Sequence, residues 1–175
     1  MEEERSGKKN NYILMVIRPL IVVIVILAIP MFLMSIVAYN HQLPPRLICG
    51  TNMSGLGKAM MIYVNDFDGY PTPEKWCDLL IEYCDVTPKS FRCKGAKEGP
   101  CNFAINKYLA EIGEANDPDI VVLFETQHGW NQVGGPEMLI LDNHNGEGSN
   151  VVFLDTHTEF IKAEDISKLK WKPEE

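Results

Sequence analysis

The side chains best equipped for chemistry crowd into one stretch near the carboxy terminus: Asp142, His144, Glu147, Asp155 and His157. Carboxylates and imidazoles ligate divalent metals and carry protons in hydrolysis, so the set raises a metal-dependent hydrolase. Asp142 and Glu147 with loop carbonyls raise a calcium site. The flanking sequence argues against one joint site. Residues 138–141 and 151–154 read as neighbouring strands of a hairpin, which puts His144 in its loop and Asp155 at the far end of a strand, roughly 15 Å away. The expected role is then structural. His144 fixes the glycine-rich loop, and Asp155 with His157 the next turn, through side-chain to backbone hydrogen bonds. A nucleophilic trio of Cys101, His144 and Asp155 has nothing in the sequence to bring it together. No nucleophile elbow, phosphate loop, dinucleotide fingerprint or zinc-protease pair is present, so the sequence points away from an enzyme.

The five cysteines are Cys49, Cys77, Cys84, Cys93 and Cys101. If residues 73–84 are helical, Cys77 and Cys84 lie two turns apart on one face, with about 10 Å between Cα atoms. A disulfide spans no more than about 7 Å. Their expected partners are therefore Cys93 and Cys101, as 77 with 93 and 84 with 101 or the reverse. A third scheme joins Cys93 to Cys101 and leaves both helix cysteines as buried thiols. Cys49 is left over, free or paired with another chain. Zinc held by four of these cysteines is disfavoured, because the short C-x2-C knuckle is missing.

Several elements must position these groups. Cys49, Met53, Leu56, Met60, Tyr63 and Phe67 step by four, three, four, three and four, which lays them along one face of an α-helix that needs a partner surface. Gly69 and Pro71 end it, with Gly69 expected at a positive-φ position. Thr72-Pro73-Glu74 then reads as cap, first helical proline and first-turn acid. They open a short helix to Cys84 with Trp76, Leu79, Leu80 and Tyr83 inward. Residues 87–118 read as mostly loop, with short strands near 90–93 and 101–105. After that the period changes: 119–125, 138–141, 150–155 and 158–161 are short apolar runs between Gly, Asn, Pro and Asp, expected to pair as an antiparallel meander. The fold class is α+β, with the amphipathic helix laid over one face of a carboxy-terminal antiparallel sheet.

Residues 19–39 are uncharged and almost wholly apolar. A helix of that length covers the ~30 Å of bilayer hydrocarbon, where exposed backbone survives only if helical. Arg5, Lys8, Lys9 and Arg18 precede it, and only Arg46 follows closely, so the amino terminus is expected in the cytoplasm. The division is a tail over 1–12, a transmembrane helix over 13–39 and an extracytoplasmic domain over 40–175. A cleavable secretory signal is the alternative, weakened by the length of the run and the lack of a small-x-small site before His41. A buried core helix is weaker still, because the run has no polar face. Residues from 40 onward hold 12 Lys and Arg against 21 Asp and Glu. That balance repels phosphate, so nucleic acid is excluded as a partner and the lipid bilayer is the expected one. All five cysteines fall on the outer side, which suits disulfides.

An amino-terminal membrane helix, an amphipathic continuation and a carboxy-terminal sheet resemble a type IV pilin or a pseudopilin of type II secretion. Two motifs narrow the resemblance. Cys49-Gly-Thr-Asn-Met-Ser-Gly-Leu-Gly-Lys-Ala-Met-Met-Ile-Tyr-Val-Asn-Asp-Phe-Asp-Gly-Tyr-Pro71 resembles the C-x-N-(N)-L-x-x-L-G-x-A-x-x-x-Y-x-N-D-x-x-G-x-x-P segment of pseudopilin-like proteins of Planctomycetes. His144-Asn-Gly-Glu-Gly-Ser-Asn-Val-Val-Phe-Leu-Asp155-Thr-His157 resembles their processing-associated H-x9-D-G-H element. With Cys101-Asn-Phe-Ala-Ile-Asn106, the likeness runs over most of residues 20–161. Two departures stand out. The region 9–18 has neither the Gly that precedes a prepilin cleavage site nor the Glu that registers neighbouring subunits in a filament. The second motif carries one extra residue, with Thr156 where Gly is usual. The resemblance implies an uncleaved, pilin-shaped single-pass protein of a bacterial inner membrane. It implies a non-catalytic part in a secretion or pilus-like system or a surface interaction module, with other pilin-like subunits or secretion-system proteins as partners. No cofactor is implied, calcium in a carboxy-terminal loop excepted. A membrane-tethered metal-dependent hydrolase and a periplasmic binding module are the other readings.

Overall fold

In a computed structural model of the chain, residues 2–40, 43–109 and 117–173 are described. Part of the loop expected over 87–118, residues 110–116, lies outside the described residues, as do His41 and Gln42 at the expected junction. The chain divides into two compact units, 1–42 and 43–175.

The first unit is one helix, α1 (Glu2–Asn40), which continues through Pro19 and Pro30. Within it, the 20 residues Ile17–Ile36 are long and apolar enough to cross a membrane, and their side chains are exposed around the whole circumference, as at Ile24, Leu27 and Met31.

The second unit is α+β. Helix α2 (Pro45–Phe67) starts on Pro45, where a missing N–H removes a donor that would have no partner in the first turn anyway. Its buried face is Cys49, Met53, Leu56, Gly57, Ala59 and Met60, the first part of the expected stripe. The stripe continues to Tyr63, partly buried against the same core, and fails only at Phe67, which is about half exposed; the two rings stack on one another and against Tyr83. The left-handed residue that stops α2 is Asp68 (φ 55°), not the expected Gly69. Asp tolerates this region because its short polar side chain can satisfy local backbone groups.

A 3-10 turn (Pro73–Lys75) leads into α3 (Trp76–Cys84), with Trp76, Cys77 and Leu80 buried. Thr72 makes no side-chain cap; its carbonyl accepts the Lys75 N–H at 3.0 Å instead. Tyr83, expected inward, is about half exposed, and Cys77 takes an inward position. The strand expected near 90–93 is largely a 3-10 turn (Pro88–Phe91), opened by a proline that pre-sets φ.

The sheet has five strands: β1 (Phe103–Asn106), β2 (Val121–Glu125), β3 (Gln132–Gly134), β4 (Gly148–Phe153) and β5 (Thr158–Lys162), in the order β3-β1-β2-β4-β5. β1/β2, β2/β4 and β4/β5 are antiparallel, but β1/β3 is parallel, so the sheet is mixed rather than the antiparallel meander expected from the sequence. Residues 138–141 are not a strand. Pro136 opens a 3-10 turn there, and β2 pairs directly with β4. Met138 and Leu139 pack instead on Ala104, Val121, Phe124, Val151 and Phe153, together with Ile166, Leu169 and Trp171. The other face carries the larger core of Met53, Leu56, Met60, Trp76, Phe91, Phe103, Ile105 and Val152. Burial on both faces accounts for the unbroken apolar runs in β2 and β4.

β2 contains a register shift between Val121 and Leu123: Val121 pairs with Phe153 while Leu123 pairs with Val152, so the span from 121 to 123 faces only one step on β4. Such a bulge reverses side-chain alternation beyond it. Val121 and Phe124 both face the carboxy-terminal cover, while Val122 and Leu123 both belong to the helix-side core. Glu125, one residue past Phe124, is thereby turned toward α2.

Candidate functional site

Under the amino-terminal half of α2, four ligand-type side chains from four segments converge: Cys49 of α2, Cys93 after the Pro88–Phe91 turn, Glu125 at the end of β2, and His144 in a 3-10 turn (Asp142–His144) before β4. All four are buried, and their ligand atoms lie within 4.8 Å of one another. Cys49 and Cys93 form a disulfide with Cα atoms 4.8 Å apart. Closing 44 residues of chain, this cross-link stabilises by about 3–4 kcal/mol in the chain-entropy account.

His144 Nε2 lies 2.9 Å from Glu125 Oε1 and 3.7 Å from Cys93 Sγ, and Cys93 Sγ lies 3.6 Å from the same Oε1. Asn150 on β4 donates from Nδ2 to Glu125 Oε1 at 2.9 Å and to the Arg46 carbonyl at 3.1 Å, tying the carboxylate to the start of α2. Nε2 is also 2.9 Å from Oε2, but without hydrogen-bond geometry, so that carboxylate oxygen is buried with no hydrogen-bond partner. The Lys94 N–H donates to Cys49 Sγ at 2.8 Å, and Phe160 meets the His144 ring edge-on at 5.5 Å. Gly95 is required here: a Cβ would sit 1.9 Å from the Asn143 carbonyl oxygen and 3.3 Å from His144 Cε1.

The pairing corrects the expectation for the cysteines. Cys93 bonds to Cys49, the cysteine left over in the sequence reading, and not to Cys77, Cys84 or Cys101, which are free thiols. The α2 stripe turns Cys49 inward, and contact of α2 with the Pro88–Phe91 turn brings Cys93 beneath it. Cys77 and Cys101 face one another as a buried thiol pair; burial first, then the Cys101 neighbour, pushes the Cys77 thiol far above its ordinary value. Half-buried Cys84 points to the Ala59 carbonyl of α2 at 3.3 Å.

Of the five ligand candidates Asp142, His144, Glu147, Asp155 and His157, His144 alone joins the converging group. Its ring does not brace the glycine-rich loop, as expected, but turns inward to Glu125. Asp142 is exposed, and exposed Glu147 pairs with Arg46 at 3.4 Å. Asp155 and His157 occupy the β4–β5 turn as expected: the His157 N–H donates to Asp155 Oδ1 at 3.0 Å, and the two side chains are also bonded. That backbone N–H is the main reason the Asp155 carboxyl is held below the usual carboxylate range. His144 and Asp155 stand at opposite ends of β4, and Cys101 engages Cys77 and Phe103, so neither the hydrolase set nor the Cys101 trio is assembled.

Sequence reasoning missed Glu125 and Asn150. The one signal was a carboxylate closing an otherwise apolar run, Val-Val-Leu-Phe-Glu, in a strand buried along its length. The chain matches no protein-family model, no curated protein and no solved structure.

Proposed function

We propose that this is a single-pass protein of a bacterial inner membrane, with its amino terminus in the cytoplasm and its α+β unit outside. It acts as a non-catalytic, pilin-shaped interaction module of a secretion or pilus-like system. The observation that carries this reading is the segment Ile17–Ile36, whose apolar side chains have no cover among the described residues. Leaving some twenty such residues in water is unfavourable by about 25 cal/mol per Å² of apolar surface, which a bilayer removes. A disulfide in the following unit fits an oxidising compartment, and the basic residues before the segment fit a cytoplasmic amino terminus.

The surface favours an interaction module over a pocket for an apolar small molecule. The carboxylates and imidazoles of 142–157 are spread over two ends of β4, and the clefts on the second unit are lined mainly by charged and polar side chains such as Asp119, Glu159, Lys162 and Lys168. An apolar small-molecule site would need the opposite lining. α2 on a sheet is the pilin arrangement implied by the motif resemblance, and pilin-like subunits or secretion components are the partners it suggests.

Protease added to spheroplasts expressing a carboxy-terminally tagged chain tests the topology. The tag is expected to be digested without lysis. A tag protected until the membrane is broken refutes the orientation, and a tagged chain in the soluble fraction refutes the anchor.

A further inference from the structure

We infer that Cys49, Cys93, Glu125 and His144 form a zinc-type metal site that the Cys49–Cys93 disulfide holds closed, so that thiol reduction converts a cross-link into a structural metal centre. The inference rests on the interior of the second unit and not on the apolar segment that carries the membrane reading.

The geometry is that of four ligands around one small ion. Tetrahedral zinc, with bonds of about 2.3 Å to sulfur and about 2.0–2.1 Å to nitrogen or oxygen, places sulfur about 3.5 Å from each N or O ligand, and N about 3.4 Å from O. Cys93 Sγ already lies 3.7 Å from His144 Nε2 and 3.6 Å from Glu125 Oε1. The 2.9 Å between His144 and Glu125 must open by about 0.5 Å, and the sulfurs must separate to about 3.8 Å. Opening the disulfide allows this without a change of fold, since each ligand sits on a different segment.

A disulfide alone has no use for this setting. It needs no carboxylate beside it, yet Glu125 is fully buried there, and its Oε2 accepts no hydrogen bond although His144 Nε2 stands 2.9 Å away. A buried carboxylate is strongly unfavourable unless its oxygens are satisfied or it coordinates a metal. The surroundings are also those of a metal site: the Lys94 N–H is aimed at Cys49 Sγ, and Asn150 fixes the carboxylate. The mix of two sulfurs, one nitrogen and one oxygen selects zinc-class ions over calcium or magnesium, which take oxygen ligands. With all four positions supplied by the protein and no open one, the site is structural rather than hydrolytic.

The chemistry balances as follows. A dithiol reductant gives two electrons and two protons to the disulfide, yielding Cys49–SH and Cys93–SH while the reductant becomes a disulfide. A divalent zinc ion then displaces both thiol protons to solvent. The proton that His144 Nε2 shares with Glu125 Oε1 moves to Nδ1, so His144 binds through the freed Nε2 lone pair and Glu125 as carboxylate. Three ligand negative charges against two positive leave a net charge of minus one.

The test uses the full-length chain in detergent, oxidised or reduced with a phosphine, titrated with zinc and dialysed before metal analysis. The reduced chain should retain one zinc per molecule, the oxidised chain none. In the reduced chain zinc should protect Cys49 and Cys93 from alkylation, read peptide by peptide. His144→Ala and Glu125→Gln should each weaken zinc binding by at least tenfold. Tryptophan fluorescence of the oxidised variants checks that they fold. The inference is overturned if the folded, reduced chain retains no zinc. It is also overturned if the reduced chain unfolds and zinc does not restore it, or if retained zinc protects Cys77 and Cys101 instead. Equal zinc binding by wild type and His144→Ala overturns it as well.

Discussion

Gly55 and Gly57 sit two residues apart in α2, and the packing of that helix on the sheet predicts opposite effects for the same substitution. In a helix interior, Gly→Ala is favourable by about 0.8–1 kcal/mol. At exposed Gly55 a new Cβ meets nothing within 4 Å, so Gly55→Ala should gain the full amount, about 1 kcal/mol. At buried Gly57 the Cβ would stand 2.7 Å from Val152 Cγ1. Val152 is buried, β-branched and held in β4 between β2 and β5, so it cannot swing away. Overpacking of this kind costs about 1–3 kcal/mol, which turns the helix gain into a net loss of about 0–2 kcal/mol. The two variants should thus differ by about 1–3 kcal/mol, or roughly 3–12 °C in Tm for a domain of this size. All three tryptophans, Trp76, Trp130 and Trp171, lie in the second unit, so their fluorescence during urea or thermal denaturation of the detergent-solubilised chain reports that unit without α1. Adding Val152→Ala should rescue Gly57→Ala relative to additivity, with a coupling above about 0.5 kcal/mol. If both glycine variants stabilise equally, α2 does not lie on β4 as described, and the geometry of the Cys49 site falls with it.

Two further outcomes follow from local backbone and charge. Thr156 adopts φ 73° in the β4–β5 turn, which is strained for a β-branched residue; Thr156→Gly should relieve it and stabilise by about 0.5–1 kcal/mol in urea denaturation. Asp78 accepts hydrogen bonds from Asn131 Nδ2 at 2.7 Å and Trp130 Nε1 at 2.9 Å, and the Asn131 bond leads in holding its carboxyl below the ordinary value. A folded-state value below the unfolded one gives stability that is present above about pH 4 and lost as pH falls through the folded value. The Tm advantage of wild type over Asp78→Asn should therefore be full at pH 6 and shrink below about pH 4, and a gap unchanged at pH 2.5 would contradict the assigned bonds.

Much of the architecture was written in periodicity. The helical stripe from Cys49 to Met60 and the apolar runs in β2 and β4 rest on local patterns that burial enforces. Residues 138–141 defeat a sequence reading because an apolar run partly buried against a sheet looks the same whether it joins the ladder or, as Met138 and Leu139 do, covers its face. The cysteine partners were illegible for a related reason: pairing depends on which loops α2 crosses, and Cys49 and Cys93 are 44 residues apart.

What the sequence determined by itself is composition and period: an apolar segment long enough for a bilayer, an acidic unit after it, and a helix that needs a sheet. What only the tertiary structure decided is which side Glu125 faces. Strict alternation from Val121 would turn that carboxylate to the carboxy-terminal cover, and one bulge against β4 turns it to Cys49, Cys93 and His144 instead. A bulge is a property of two strands in register, not of either strand alone, so no reading of Val-Val-Leu-Phe-Glu could have found it.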